Sequence, residues 1–260
     1  MRTLQTKYKT VLRYMQTTKE YIRKQLQETA CDAFLRKGFK AVSMREISSL
    51  SGIGLSNIYN YYPSKNDLLA VVLSPLLKKM NSLLDNHNRN ENLSLEVFVS
   101  EEYHRKYVLE VMDIITCYRK ELKLLFLNTQ GSRFEDYSER WIDKSTAIGE
   151  KYMERMKILY PDLHTNISLF FIHFTSSWWI NMMREVALHE ELSHEEIERF
   201  IREFVHYSTG GWKKLMKVDD EGRTIEGGII SFDSEKKLDK EQVITKYESN
   251  DRKHSQAVEV

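Results

Sequence analysis

Apolar residues recur along this chain at steps of three and four, the period of an α-helix with one buried side. Ile22, Leu26, Ala30, Ala33 and Phe34 share such a face. Ahead of them Thr17-Thr18-Lys19-Glu20 has the form of a capping box, so the pattern predicts a helix from Thr17 to Gly38. Ser43-Met44-Arg45-Glu46 is a second capping box, leading into a helix that buries Ile47 and Leu50. A tight turn, Ser51-Gly52-Ile53-Gly54, separates it from a short helix over Leu55–Tyr62 that Pro63 stops. A fourth helix is expected from Ser64, with an apolar stripe of Leu68, Leu69, Val72, Leu73, Leu76, Leu77 and Met80 and a kink or break near Ser74, before Pro75.

Beyond the polar stretch Asp85–Asn92 the helical period continues, over about Ser94–Thr116, Tyr118–Asn128, Phe134–Tyr160 and Leu163–His189. A last helix is expected from the capping box Ser193-His194-Glu195-Glu196 to about Met216. No alternating strand pattern precedes residue 218. The expected fold is all-α, with about nine helices. Residues 218–260 are charged and poor in aromatics, and read as a disordered tail with one weak helix around Glu235–Tyr247.

Charge changes the picture because it is uneven. Residues 1–65 hold 12 Lys/Arg against 4 Asp/Glu, a balance of +8, whereas the whole chain sums to +1. A basic end on an acidic body suits a protein that meets a polyanion with one end. Cys31 and Cys117 each lie in an apolar helical pattern and read as reduced core thiols of a cytoplasmic protein. No apolar stretch follows the basic residues near Met1, so no secretory signal is expected. The run Ile167–Met183 is interrupted by His173, Thr175, Ser176, Ser177 and Asn181, so no membrane span is expected.

Two short helices around a Gly-containing turn form helix-turn-helix geometry, whose second helix enters the major groove of DNA. The match to one family is more specific. Ala30-Cys31-Asp32-Ala33-Phe34, Gly38-Phe39, Ser43-Met44-Arg45-Glu46-Ile47 and Ser51-Gly52-Ile53 stand in order, followed by Ile58-Tyr59-Asn60-Tyr61-Tyr62-Pro63-Ser64-Lys65 and Leu68-Leu69. Over about 50 residues this run resembles the tetracycline-repressor (TetR/AcrR) family of bacterial transcriptional regulators. Ser51, Gly54 and Tyr62 depart from that family's usual Ala, Ser and Phe.

The resemblance implies an N-terminal three-helix helix-turn-helix domain, residues 17–65, followed by a helical effector-binding and dimerisation domain, residues 66–217. Residues 1–16 lie outside the match and read as a basic extension, either a disordered solubilising tail or an arm that lays Arg2, Lys7, Lys9 and Arg13 in the minor groove or along phosphates. By the same resemblance Ser43 would bond a phosphate, Leu55, Ser56, Asn57 and Asn60 would lie near base edges, and Tyr59, Tyr61 and Lys65 would clamp the backbone. Asn is suited to adenine and Leu to the thymine methyl. The expected partners are a palindromic operator in double-stranded DNA and a second copy of the chain.

For the second domain, Tyr103, Tyr107, Tyr118, Phe126, Phe134, Tyr137, Trp141, His173 and Trp178 are candidates for a pocket taking a small apolar or aromatic effector. Phe171, Trp179, Met182, Phe200, Phe204 and Trp212 are candidates for a dimer interface, a four-helix bundle formed with the symmetry mates of two helices. No enzyme is expected, and neither metal nor cofactor. Gly52-Ile53-Gly54 lacks the third Gly and the preceding strand of a phosphate loop, and His189 and His194 straddle a helix start. The alternative function is a helical adaptor that kept the fold without specific DNA binding.

Overall fold

The computed structural model describes residues 2–225 apart from 88, 90 and 91, with side chains from residue 19 onward (87 also excepted). Among the described residues there are eight α-helices and no strand beyond an isolated bridge. The expected helix at Glu235–Tyr247 lies outside the described residues.

Helix α1 (Arg2–Lys37) is one continuous helix, so Thr17 lies inside it and the expected start is corrected. The reason is local: between residues 2 and 37 there is no Pro or Gly to interrupt a helix. Leu26, Ala30 and Phe34 are wholly buried along its expected face. Gly38 ends it at φ +79°, left-handed backbone that other residues avoid.

Three helices then complete the first bundle: α2 (Met44–Ser51), α3 (Leu55–Tyr61) and α4 (Lys65–His87). Leu50, expected in the core, is instead exposed on α2. Helix α4 continues through Pro75 where a kink or break was expected. Pro75 is on the exposed side, so its missing N–H costs the helix a bond only where water can replace it. Leu73 and Leu76, on the buried side, hold the axis together.

The second part begins with a short 3-10 turn (Leu95–Phe98), followed by α5 (Glu101–Leu127), α6 (Tyr137–Leu159), α7 (Leu169–Leu188) and α8 (His194–Leu215). Two helices expected over 94–128 are replaced by that turn and one long helix, bent at Tyr118 (φ −130°, ψ 27°). Helix α7 packs on both α5 and α6, and α8 packs on α5. The Ser193 capping box is complete: the hydroxyl accepts from the Glu196 N–H (3.2 Å), and the Glu196 carboxylate accepts from the Ser193 N–H (2.8 Å).

Two expectations change at the surface. Cys117 is exposed, its thiol donating to Asp113 one turn back (3.4 Å), whereas Cys31 is in the core. Val218 is buried and bridges to Thr224, so the chain beyond α8 starts as an ordered turn. It closes a small second core with Leu93, Phe98, Met156 and Met216.

Candidate nucleic-acid interface and ligand cavity

The basic end folds so that a short helix is held from behind. Gly52 ends α2 at φ +69°. The turn is tied by the Ser48 hydroxyl donating to the Ile53 carbonyl (2.7 Å) and by Gln25 of α1 donating to the Ser51 carbonyl (2.8 Å). Helix α3 is anchored by Ile58, wholly buried, and by Tyr62 just past its end, whose hydroxyl accepts from Gln27 (2.9 Å). What remains outside is Ser56, Asn57, Tyr59 and Asn60, with Leu55 and Tyr61 half-buried beside them. Seven residues make a rod about 10 Å long. It presents two amides and three hydroxyls, counting Tyr61, to whatever lies opposite.

Ser43 caps α2, accepting from the Glu46 N–H (3.1 Å). The expected capping box is half made, because the Glu46 carboxylate instead takes a bond from Lys37 (2.6 Å). That cation holds the Glu46 carboxyl below its ordinary range. Ser43 is exposed and its hydroxyl can still donate outward.

Lys65 sits differently from its neighbours. Its ammonium donates to the carbonyls of Phe39 and Val42 (both 2.7 Å) and lies 4.2 Å from the Phe39 ring centre. Two of its three N–H bonds are therefore engaged within the domain, and desolvation lowers its pKa. Two cations not singled out from the sequence are exposed on this domain. Arg45 is exposed in the first turn of α2, and the Arg23 guanidinium lies 5.8 Å from the Tyr61 ring centre. Arg45 lay within the matched motif, but Arg23 meets Tyr61 only through the packing of α1 on the helix-turn-helix.

Behind this domain, a cavity of about 270 Å³ opens between the 3-10 turn and α4 through α8. Of the expected pocket residues, Tyr103, Tyr107, Trp141 and Trp178 line it. Tyr118, Phe126, Phe134 and Tyr137 do not: they are partly buried against the main core. His173 also lies outside, its ring stacked on Phe170 on the outer side of α7.

The expected interface residues divide too. Trp179, Phe204 and Trp212 line the cavity, and Met182 is buried within its own chain, so it has no surface to offer a partner. Phe171 and Phe200 are exposed. They belong to a wider aromatic face with Phe170 (77% exposed), Phe174 (54%) and Tyr207 (72%). Helical periodicity marked α7 as apolar on several sides; it could not say which side faced the cavity.

The cavity wall is aromatic. Trp141 and Trp179 stack at 4.6 Å with planes 14° apart, and Trp178 packs on Phe204 at 4.6 Å. Trp179 Nε1–H donates to the Tyr107 hydroxyl (2.8 Å). Burial pushes Tyr107 and Tyr152 far above the ordinary phenol range and Tyr103 up to about 12. All three remain neutral phenols at physiological pH. Among the described residues no group of His, Cys, Asp or Glu gathers as metal ligands do, and no helix is long and apolar enough to cross a membrane.

An anchored helix with polar residues turned outward, joined by a tight Gly-containing turn to the helix before it, has the geometry of a helix-turn-helix. Residues 26–72 match the family model of "Bacterial regulatory proteins, tetR family". Over 79 residues the chain is 24% identical to the HTH-type transcriptional regulator LuxR of Vibrio harveyi, covering 30% of this chain and 36% of that protein. Over 94 residues it is 26% identical to an uncharacterized HTH-type transcriptional regulator, YhgD, of Bacillus subtilis (strain 168), covering 34% and 49%. The chain thus spans less than half the length of either curated relative.

Two solved structures extend the likeness in fold. A TetR-like transcriptional regulator from Rhodococcus sp. RHA1 superposes with a TM-score of 0.50 at 17% identity, over 75% of this chain and 95% of the other. A putative TetR-family regulator from Syntrophomonas wolfei gives 0.50 at 17%, over 74% and 96%. Residues 26–72 are thus similar to the helix-turn-helix of the tetR family, and the all-helical fold is similar to that of the Rhodococcus regulator.

Proposed function

We propose that this protein is a cytoplasmic, ligand-responsive transcriptional repressor that binds a palindromic operator as a homodimer. The observation that carries the reading is the outward display of Ser56, Asn57, Tyr59 and Asn60 on a helix pinned by Ile58 and Tyr62. Asn57 and Asn60 read base edges in the major groove, Leu55 meets a thymine methyl, and Ser43, Tyr59 and Tyr61 position the backbone. Arg23 and Arg45 add phosphate contacts. Lys65 acts chiefly as a strut, fixing the start of α4 against the carbonyls that precede α2.

A reader of this type covers two half-sites about one DNA turn apart. The exposed aromatic face of α7 and α8 suits a second copy, because an isologous contact doubles one patch and covers rings that water solvates poorly. Domains 17–65 and 66–217 are the reading and sensing units. Their link is the connection between α5 and α6. The Phe39 N–H donates to the Asn128 carbonyl (2.8 Å), and the Asn128 side-chain amide donates to the Leu35 carbonyl (3.5 Å). Trp141 of the cavity wall lies one turn into α6. An effector works by favouring one arrangement of these parts over the other.

The test is fluorescence anisotropy with labelled duplexes selected from random DNA by the purified protein. Affinity should fall steeply with salt, and Asn57→Ala with Asn60→Ala should erase the preference for the selected sequence while leaving weak general binding. A variant that still prefers the selected duplex rules out α3 as the reading element.

A further inference from the structure

The wall of the cavity carries no carboxylate, ammonium or guanidinium group, and its polar groups are not all satisfied. No Asp, Glu, Lys or Arg lines it. Its imidazole, His104, has Nε2 engaged at 2.9 Å with the Val97 carbonyl. A charged guest would therefore give up its hydration and find no fixed counter-charge. Much of the rest of the wall is apolar or aromatic, and at about 270 Å³ the space lies near the lower end of the range for small-molecule pockets.

Two groups break this uniformity, the buried Trp141 Nε1–H, which has no partner among the described residues, and Tyr107. Its hydroxyl accepts from Trp179 Nε1–H (2.8 Å), and its own proton is taken by no acceptor among the described residues. A buried O–H with nothing to bond is an unfavourable arrangement that an incoming acceptor relieves. The neighbouring hydroxyls of Thr175, Ser176 and Ser208 are different, since each donates to a carbonyl of its own helix.

We infer that the cavity takes a small, neutral, largely apolar molecule carrying a hydrogen-bond acceptor, such as a ketone or ether oxygen, that receives the Tyr107 hydroxyl proton. The inference rests on the effector reading above for its biological meaning, but not for its chemistry. The stacked Trp141–Trp179 pair forms a flat wall, and Trp179 holds the Tyr107 oxygen in place, so the acceptor is read at a fixed position.

The chain's tryptophans, Trp141, Trp178, Trp179 and Trp212, number 4, and all of them line the cavity, so intrinsic fluorescence reports occupancy directly. The experiment titrates the full chain, without DNA, with acetylnaphthalene, isopropylnaphthalene and naphthoate, all substituted at the same ring carbon. The ketone should bind about tenfold more tightly than the hydrocarbon of the same shape, the worth of one buried hydrogen bond. The carboxylate should bind at least tenfold more weakly than the hydrocarbon.

Tyr107→Phe should bring the ketone down to the hydrocarbon's affinity and leave the hydrocarbon unchanged, whereas Tyr103→Phe should keep the ketone's advantage. The infrared carbonyl band of the ketone bound to the unsubstituted protein should shift to lower wavenumber, a readout that needs no variant to fold. Naphthoate binding as well as the ketone, a ketone preference that survives Tyr107→Phe, an unshifted carbonyl band, or failure of all three probes to bind would overturn the proposal. Anisotropy with duplex DNA on the same preparation separates the two readings. Loss of DNA binding alone would strike the regulator and leave the cavity chemistry standing.

Discussion

In the helix-turn-helix domain Ile47 and Ile58 are wholly inside, and the polar residues around them on α3 are outside. In the cavity domain Tyr107, Thr175 and Ser176 face a space among tryptophans, while Phe170, Phe174 and Tyr207 stand in solvent. The first region sorts its side chains as a globular core does. The second inverts that order in two places, once around a hole and once on an outer face. Where packing follows the ordinary rule the residues left outside are the ones proposed to read DNA, and where it departs from the rule the departure marks the proposed effector cavity and partner face.

The comparison predicts unequal responses to substitution. The largest belongs to Ile58→Ala, which leaves a hole beneath α3 that a helix of seven residues is too short to absorb. It should cost about 2–5 kcal/mol in denaturant unfolding and abolish specific DNA binding, with naphthyl-ketone binding intact. Equal loss of both activities would mean that the two regions unfold as one.

Next comes Lys65→Met, which keeps the side-chain bulk and removes two bonds to carbonyls. Allowing for its partial exposure, the cost should be about 1–2 kcal/mol. The salt dependence of DNA affinity should keep its slope. A slope reduced by about one unit would make Lys65 a phosphate contact instead of a strut.

A smaller effect is expected at Gly149→Ala. A Cβ there would stand 2.6 Å from Ile172 Cγ2, on a buried β-branched side chain that is stiff in a helix. The overlap of α6 on α7 should outweigh the helix-forming gain of Ala and leave a net loss of about 1 kcal/mol. In a double-mutant cycle with Ile172→Ala the penalty should vanish. A cycle with no coupling would show that the two helices do not meet there.

The smallest effects concern the thiols. Cys117 should react with a disulfide reagent in the native protein, and Cys31 only after unfolding. Burial, first among its causes, lifts Cys31 from 9.0 to about 12. The folded state thus favours the neutral thiol, and its contribution to stability is complete below pH 9 and declines as pH rises from there toward 12. Thermal unfolding across that window should show a slope that Cys31→Ala reduces.

The two regions also differed in how far the sequence disclosed them. Gly52 and Ser43 act on neighbours a few positions away, so spacing alone located the turn and the cap, while Ile58 stood in the matched motif without being read as an anchor. Trp179 and Tyr107 meet across two helices far apart in the chain, and nothing local distinguishes a ring that lines a space from one that fills it. Tyr137 and Phe126 have the same composition and period as Tyr107, yet they close the core instead. The bend at Tyr118 is likewise absent from local propensity. Lys65 lay in plain view within the motif, but its carbonyl partners depend on how the Phe39–Val42 segment folds over it.

Pro75 gives the molecule a mechanical property. Lacking an N–H, it cannot tie its turn to the carbonyl of Val71, a residue on the solvent side of the same rod. Ten residues separate Pro75 from Lys65, a lever of about 15 Å. A flexion of only about 4° at that turn would move Lys65 by about 1 Å, and in the proposed homodimer two such movements would add to the spacing of the two α3 helices.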